Sequence, residues 1–186
     1  MEQRVKNNPT KIATKWALIN AAALIVITYA YEFLNVDQTS SVWAYLSYIP
    51  FIAFLFLTQT EFKEELGGYL SFGDGFSAGF RYSMFTGILA ALFIYVYYSY
   101  LSPDVYERIL ESSRGILEKQ GLSDEQIEQG MQTAQKYGPV SGAFGVAIGY
   151  AIFGAIVSLI GAAIFKKVKS PYDIANDAVD PNDPTV

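Results

Sequence analysis

The sequence predicts an all-α integral membrane protein, built as a four-helix bundle with an extramembrane helical hairpin between spans three and four. Four long apolar runs are separated by short charged stretches, and 52% of the 186 residues are hydrophobic. A spanning helix needs about 20 mostly apolar residues, because the hydrocarbon core of a bilayer is roughly 30 Å thick. Three of the runs reach that length, and the second is near the lower limit.

Four spans and their short loops use up most of the chain, so we predict a single membrane domain over residues 1–169. The spans are expected at about residues 12–34, 42–58, 72–101 and 139–165, with the hairpin at 103–137. This division leaves no room for a separate soluble enzyme. Residues 170–186 hold three Pro and four Asp but little apolar mass, which predicts a disordered acidic tail.

Helix starts are marked by hydroxyl residues at three places. Ser71 followed by Asp74 matches a capping box at the start of the third span, with Asp74 in the first turn. Ser102 before Pro103 predicts the start of the hairpin, and Ser123 begins a second capping box. The apolar face of the hairpin is expected to cover the mouth of the bundle, with the headgroup layer and a partner as the alternatives.

Basic residues predict the orientation of the chain. Four precede the first span, two lie around the start of the third, and three follow the fourth. The hairpin carries four basic residues among seven acidic ones, and the other loop on that side has none. We therefore expect both termini in the cytoplasm and the hairpin on the opposite side of the membrane.

The composition excludes several function classes. The chain has no Cys and no His, which rules out thiol catalysis, Cys/His zinc sites and a Ser-His-Asp triad. A net charge of −5 argues against nucleic acid as a partner. The sequence shows no catalytic, cofactor or metal signature, although carboxylate-only magnesium or calcium sites stay open. We predict that the protein is not an enzyme.

Small residues recur along the third and fourth spans in the way that favours close helix packing. Packing between these two spans is the expected role, and association with a second chain is the alternative. The predicted packing residues are Gly75, Gly79, Ser83, Gly87 and Ala91 in the third span, with Gly142, Gly145 and Gly149 in the fourth.

Three charged residues are candidates for function because ionisable groups are rare within spans. Glu32 lies near the outer end of the first span. Arg81 lies about two turns into the third helix, on the same face as Asp74, and is expected to extend toward the inner headgroups or toward that carboxylate. These groups form no chain across the midplane, which counts against a proton relay or ion pump.

The order of elements also carries a family resemblance. The segment 67–76 leads into a span, 102–104 follows it, 118–129 forms the hairpin turn, and a Gly-rich span ends at 165–167. From about residue 10 to residue 169 the chain resembles an uncharacterised family of bacterial four-span membrane proteins, catalogued as domain of unknown function 4199. The resemblance implies an inner-membrane protein of a Gram-negative bacterium and carries no activity or catalytic residues.

We predict a non-enzymatic membrane protein that acts through helix packing or partner interaction, as a homo-oligomer or with another membrane protein. The alternative is a small transporter or channel for a neutral or amphipathic solute, which Pro50 within the second span and the Gly-rich helices favour. That alternative requires a polar cavity faced by Glu32 or Arg81. An enzyme acting on lipid is a third option, and it requires Asp74 and Glu32 to converge.

Overall fold

The computed structural model describes residues 8–34, 36, 45–46 and 48–170. Within those residues the fold is all-helical, as predicted, and the sole β pairing is an isolated antiparallel bridge between Leu70 and Lys167. The predicted acidic tail and most of the first loop lie outside the described residues. The elements are α1 (Thr10–Phe33), α2 (Tyr48–Glu65), α3 (Phe72–Val96), a π-helical segment (Tyr97–Leu101), α4 (Pro103–Lys119) and α5 (Asp124–Phe165).

Three described helices are long and apolar enough to cross a membrane: α1, α3 with its π-helical segment, and α5. The described part of the second run does not meet that criterion. Its helix, α2, has 18 residues, and four of the last five are charged. Pro50 is the third residue of α2 as described, Tyr48–Glu65.

The longest helix, α5, joins two elements that the sequence separates. A hairpin ending at 137 and a span starting at 139 predict a break, yet α5 continues through Pro139 for 42 residues, or about 63 Å. Gly138, next to the proline, leaves space for Tyr106 of α4, because a Cβ there would overlap the Tyr106 hydroxyl. Tyr106 donates a 2.8 Å hydrogen bond to the carbonyl of Ala134, which fastens α4 to α5 just before the proline.

Local signals set the helix ends. Ser71 accepts a hydrogen bond from the Asp74 amide at 3.1 Å, and Asp74 lies in the first turn of α3. Ser123 forms the complete capping box with Gln126. Both serines are therefore N-caps, as predicted, although the reciprocal bond of a capping box is described for Ser123 and not for Ser71. Gly121 has a φ of 77°, a conformation that favours glycine and reverses the chain between α4 and α5.

The centre of the bundle is α3, which packs against α1, α2 and α5. Its buried ring, Tyr82, packs 5.4 Å from Phe51 of α2, and Phe51 in turn packs on Tyr150 of α5. Burial of these aromatic groups ties three helices together near the middle of the bundle.

The hairpin of α4 and the first part of α5 packs mainly on itself and on the π-helical segment. Ile127 and Val105 are both buried there. The apolar face of the hairpin is therefore partly buried, although Ile116 of α4 is 56% exposed. We call this side of the molecule the hairpin end, and the side that carries the Leu70–Lys167 bridge the bridge end.

Candidate functional site

The most extensive contact between the described helices is the seam between α3 and α5. A Cβ added at Gly75 would lie 3.3 Å from Ala162, and one at Gly79 would lie 2.7 Å from the Ser158 hydroxyl. At Gly87 it would lie 3.0 Å from the carbonyl oxygen of Ala147. The small residues of α3 therefore let its backbone approach α5 along several turns.

Two glycines of α5 complete this seam from the other side. A Cβ at Gly154 would overlap the Ser83 hydroxyl, and one at Gly161 would overlap the side-chain oxygen of Gln59. Neither glycine belongs to the ridges read from the sequence. Ser83 is fully buried at this contact. The seam is therefore formed by small residues on both helices, and Gly161 extends the close packing of α5 to Gln59 of α2.

Uncharged polar groups fix the register of the seam. The amide nitrogen of Gln59, on α2, donates hydrogen bonds of 3.0 Å to the carbonyl oxygens of Gly75 and Ser158. It thereby joins α2 to both α3 and α5. The Tyr82 hydroxyl donates to the Phe51 carbonyl at 3.1 Å. Gln59 and Tyr82 are fully buried, and a sliding movement of any of these helices would break their bonds.

The other predicted glycines of α5 have a different environment. Gly142, Gly145 and Gly149 are exposed, and a Cβ on any of them would meet nothing within 4 Å. Within the described chain they therefore form no helix contact. They continue into Ile152 and Ile156, which are exposed on the same side of α5. We call these five residues the outward face.

An apolar groove of about 400 Å³ opens on another side of α5, between that helix and α3. Ala91, the last residue of the predicted α3 ridge, lines this groove and does not belong to the seam. Apart from the ring of Tyr95, the lining is aliphatic or phenyl. It consists of Ile88, Ala91, Leu92, Tyr95, Val140, Ala143, Phe144 and Ala147.

At the hairpin end, Glu32 is half-buried and accepts hydrogen bonds from two hydroxyls. The Tyr97 hydroxyl donates to Oε2 at 3.1 Å, and the Ser102 hydroxyl donates to Oε1 at 3.2 Å. Tyr97 is fully buried and Ser102 is 5% exposed. The carboxylate is therefore held in place by groups that are themselves fixed.

At the bridge end, Arg81 donates to the side-chain oxygens of Asn8 and Thr10, at 2.9 and 2.6 Å. Asp74 instead accepts a 2.6 Å hydrogen bond from the Ser71 hydroxyl. Although Asp74 and Arg81 share a face of α3, their described hydrogen bonds go to other residues. Glu32 lies at the other end of the bundle, so the three predicted charges do not converge.

A second carboxylate at the bridge end links α1 to α2. Glu61 pairs with Lys15 and accepts a 2.7 Å hydrogen bond from the Trp16 indole. Partial burial raises the pKa of the Glu61 carboxyl, but the hydrogen bonds from Lys15 and Trp16 outweigh that cost, and the pKa is lowered from its ordinary value. The sequence analysis did not single out this pair, because its members are 46 residues apart.

Sequence reasoning also missed Gln59, Gly154, Gly161 and Ser102 as contact residues. Gln59 gives the clearest signal in retrospect, since it is an amide directly after an apolar run. The two glycines look like any others in a Gly-rich span. Ser102 lies at the N-cap position of α4, as predicted, but its side chain bonds to Glu32.

Among the residues that the structure describes, no three carboxylates lie together in a way that could hold a metal ion. Neither the curated proteins nor the solved structures include a match to the chain. A family model described as a protein of unknown function, DUF4199, matches residues 15–167, and the chain belongs to that family.

Proposed function

We propose that the protein is a non-enzymatic, four-span protein of a bacterial inner membrane that assembles with a second copy of itself through the outward face of α5. Three apolar helices of spanning length support insertion into a membrane. The fourth span in this proposal is the apolar part of α2 together with the residues that precede it.

The orientation in this proposal rests on charge. The hairpin end carries an acidic excess, and the bridge end carries Arg81, Lys167 and other basic residues near both termini. Since Lys and Arg favour the cytoplasmic side, the hairpin would project into the periplasm and the termini into the cytoplasm.

The observation that carries the assembly proposal is the unequal use of glycine. Gly75, Gly79, Gly154 and Gly161 are occupied by contacts within the chain. Gly145 and Gly149, which have the same four-residue spacing as Gly75 and Gly79, face open space. Without a hydrophobic force between helices in lipid, close backbone approach is the main source of attraction, so an open small-residue surface favours a second helix.

The shape of the outward face also fits a crossing helix pair. Its glycines occupy the half near the hairpin, whereas Ile152 and Ile156 follow toward the bridge end. Two copies would approach most closely at Gly145 and Gly149 and diverge at the isoleucines. A solute pathway has less support, because Glu32 and Arg81 bond to residues at opposite ends and the described groove is apolar.

Cysteine crosslinking tests the assembly, and the native chain has no Cys that would interfere. We expect Gly145→Cys to give a covalent dimer in membranes, in several-fold higher yield than Phe144→Cys. Phe144 is a matched control because it is exposed at the same height but lines the groove on another side of α5.

Equal yields from the two variants would contradict a specific interface, and an adduct with another protein in place of the dimer would contradict self-assembly.

Membrane-impermeant thiol labelling of single-cysteine variants tests the orientation. In cells whose outer membrane is permeabilised and whose inner membrane is intact, Gln120→Cys should react with the label. Val168→Cys should react only after lysis. The reverse pattern would overturn the charge argument.

A further inference from the structure

We propose that Glu32, Tyr97 and Ser102 form a binding site for a primary ammonium group at the hairpin end of the bundle. The site is independent of the assembly described above. It rests on the uncompensated charge of Glu32, on the hydroxyls that hold it, and on its place at the end of a spanning-length helix.

The charge of Glu32 has no described counter-charge. Among the described residues, Lys15 pairs with Glu61, Arg108 with Asp104, and Arg114 with two other glutamates, so these cations lie with carboxylates other than Glu32. Tyr97 and Ser102 supply hydrogen bonds to Glu32 but no positive charge. A carboxylate at the edge of a span is costly without a partner, so a cation that reaches it gains both charge neutralisation and hydrogen bonds.

The Ser102 side chain bonds to Glu32 instead of capping the start of α4. Ser102 precedes Pro103 at the start of α4, where its hydroxyl would ordinarily accept a backbone hydrogen bond. No such bond forms, and the hydroxyl points to Glu32. An unused cap costs stability, which the contact with Glu32 must offset.

The π-helical segment explains how two residues five positions apart reach one carboxylate. The Ser102 amide donates to the Tyr97 carbonyl at 2.8 Å, which is the i to i+5 bond of a π-helix. In a regular α-helix, residues five apart point in well-separated directions. The wider turn brings Tyr97 and Ser102 to the same side, facing α1. Such insertions occur often at functional sites.

The geometry favours a primary ammonium over a quaternary one. The ring of Tyr97 is already packed against Phe93, Tyr98 and Tyr29, at centroid distances of 5.6, 5.5 and 6.0 Å. Little of its surface is left for a cation–π cage of the kind that binds choline. The carboxylate and hydroxyl oxygens are acceptors, and a primary ammonium has three N–H donors to match them.

Two sources could supply this group: the headgroup of phosphatidylethanolamine, or a free amine in solution. Retention of lipid by the full chain, measured by native mass spectrometry, distinguishes them. Phosphatidylethanolamine and phosphatidylcholine with identical acyl chains are offered in equal amounts, and ethanolamine is added separately as a competitor. We expect several-fold preference for phosphatidylethanolamine if the group is a lipid headgroup. Binding of ethanolamine with no lipid preference would assign the same site to a free amine.

Substitutions connect the preference to the three residues. Glu32→Gln keeps the shape and removes the charge, and it should reduce ammonium binding about tenfold, as expected for loss of a charge-assisted hydrogen bond. Tyr97→Phe should reduce binding less, because Ser102 still holds the carboxylate. Glu111→Gln, an exposed carboxylate of the hairpin, is the control and should leave binding unchanged.

The proposal is overturned if neither probe binds, or if Glu32→Gln binds both as the parent does. It is also overturned if phosphatidylcholine binds as well as phosphatidylethanolamine and ethanolamine does not bind. Tyr97→Phe keeps the test decisive should Glu32→Gln fail to fold, because the parent hydroxyl is the only group it removes. A binding loss in Tyr97→Phe supports the site, and unchanged binding contradicts the role of Tyr97.

Discussion

Two pairs of glycines in α5, Gly154 with Gly161 and Gly145 with Gly149, have different surroundings. Gly154 and Gly161 are pressed against Ser83 and Gln59, and an added methyl group would overlap either partner. Gly145 and Gly149 lie only a few turns away with no neighbour within 4 Å. A small-residue pattern thus identifies a surface that another helix could approach. It does not identify which helix does so.

The difference arises from the position of each set around the helix. The inner glycines share a face with Tyr150 and Val157, which are buried in the core of the bundle. The outer glycines share a face with exposed isoleucines. A few residues of offset along a helix therefore separate a contact that holds one chain together from a surface available to a second chain.

The largest expected effect is on folding of the seam. Gly154→Leu would force a branched side chain into the space of Ser83, and overpacking of this kind costs about 3 kcal/mol when neither backbone can move. We expect a large drop in the free energy of unfolding in detergent, with loss of the folded fraction on size exclusion. Chemical unfolding followed by circular dichroism measures the change.

The matched control, Gly149→Leu, adds the same side chain to the outward face. It should leave the stability of the isolated chain unchanged or slightly higher, since leucine has the better helix propensity. It should also reduce the crosslinked dimer described above. Equal destabilisation by both leucines would show that the two faces do not differ as the structure indicates.

A smaller effect is expected from the amide that crosses the seam. Gln59→Leu keeps a similar volume but loses the hydrogen bonds to Gly75 and Ser158, which costs about 1 kcal/mol in a membrane bundle. Thr58→Val is the control, because the buried Thr58 hydroxyl bonds within its own helix, to Phe54. If both variants unfold at the same denaturant concentration as the parent, Gln59 does not fix the register.

Local features were predictable from the sequence, and long-range partners were not. The caps at Ser71 and Ser123 depend on residues three positions apart, so they can be read directly. The all-helical class follows from long apolar runs. The packing of Tyr106 against Gly138, next to Pro139, could not be read, because the two residues are 32 positions apart in the chain.

The candidate site shows the same limit. Glu32 was identified because a carboxylate in an apolar run is conspicuous. Its partners, Tyr97 and Ser102, are 65 and 70 residues away and meet it only because of the π-helical segment. Neither the composition nor the periodicity of the chain signals that extra residue in the turn.

The smallest expected effect separates the neutral seam from the charged contact at the bridge end. The polar groups of the seam are uncharged, so acid should act instead on Glu61, whose pKa is lowered in the folded chain. A lowered pKa means that this stabilisation is complete above the ordinary pKa of Glu and is lost as the pH falls through the folded value. Because the pair is partly exposed, we expect it to contribute less than about 1 kcal/mol to the free energy of unfolding.

Unfolding at pH 6 and pH 3 tests this contribution. The acid-induced loss of stability should be smaller for Glu61→Gln than for the parent or for Glu64→Gln, which changes an exposed carboxylate on the same helix. The same acid-induced loss of stability in all three chains would mean that the Lys15–Glu61 pair does not stabilise the contact between α1 and α2.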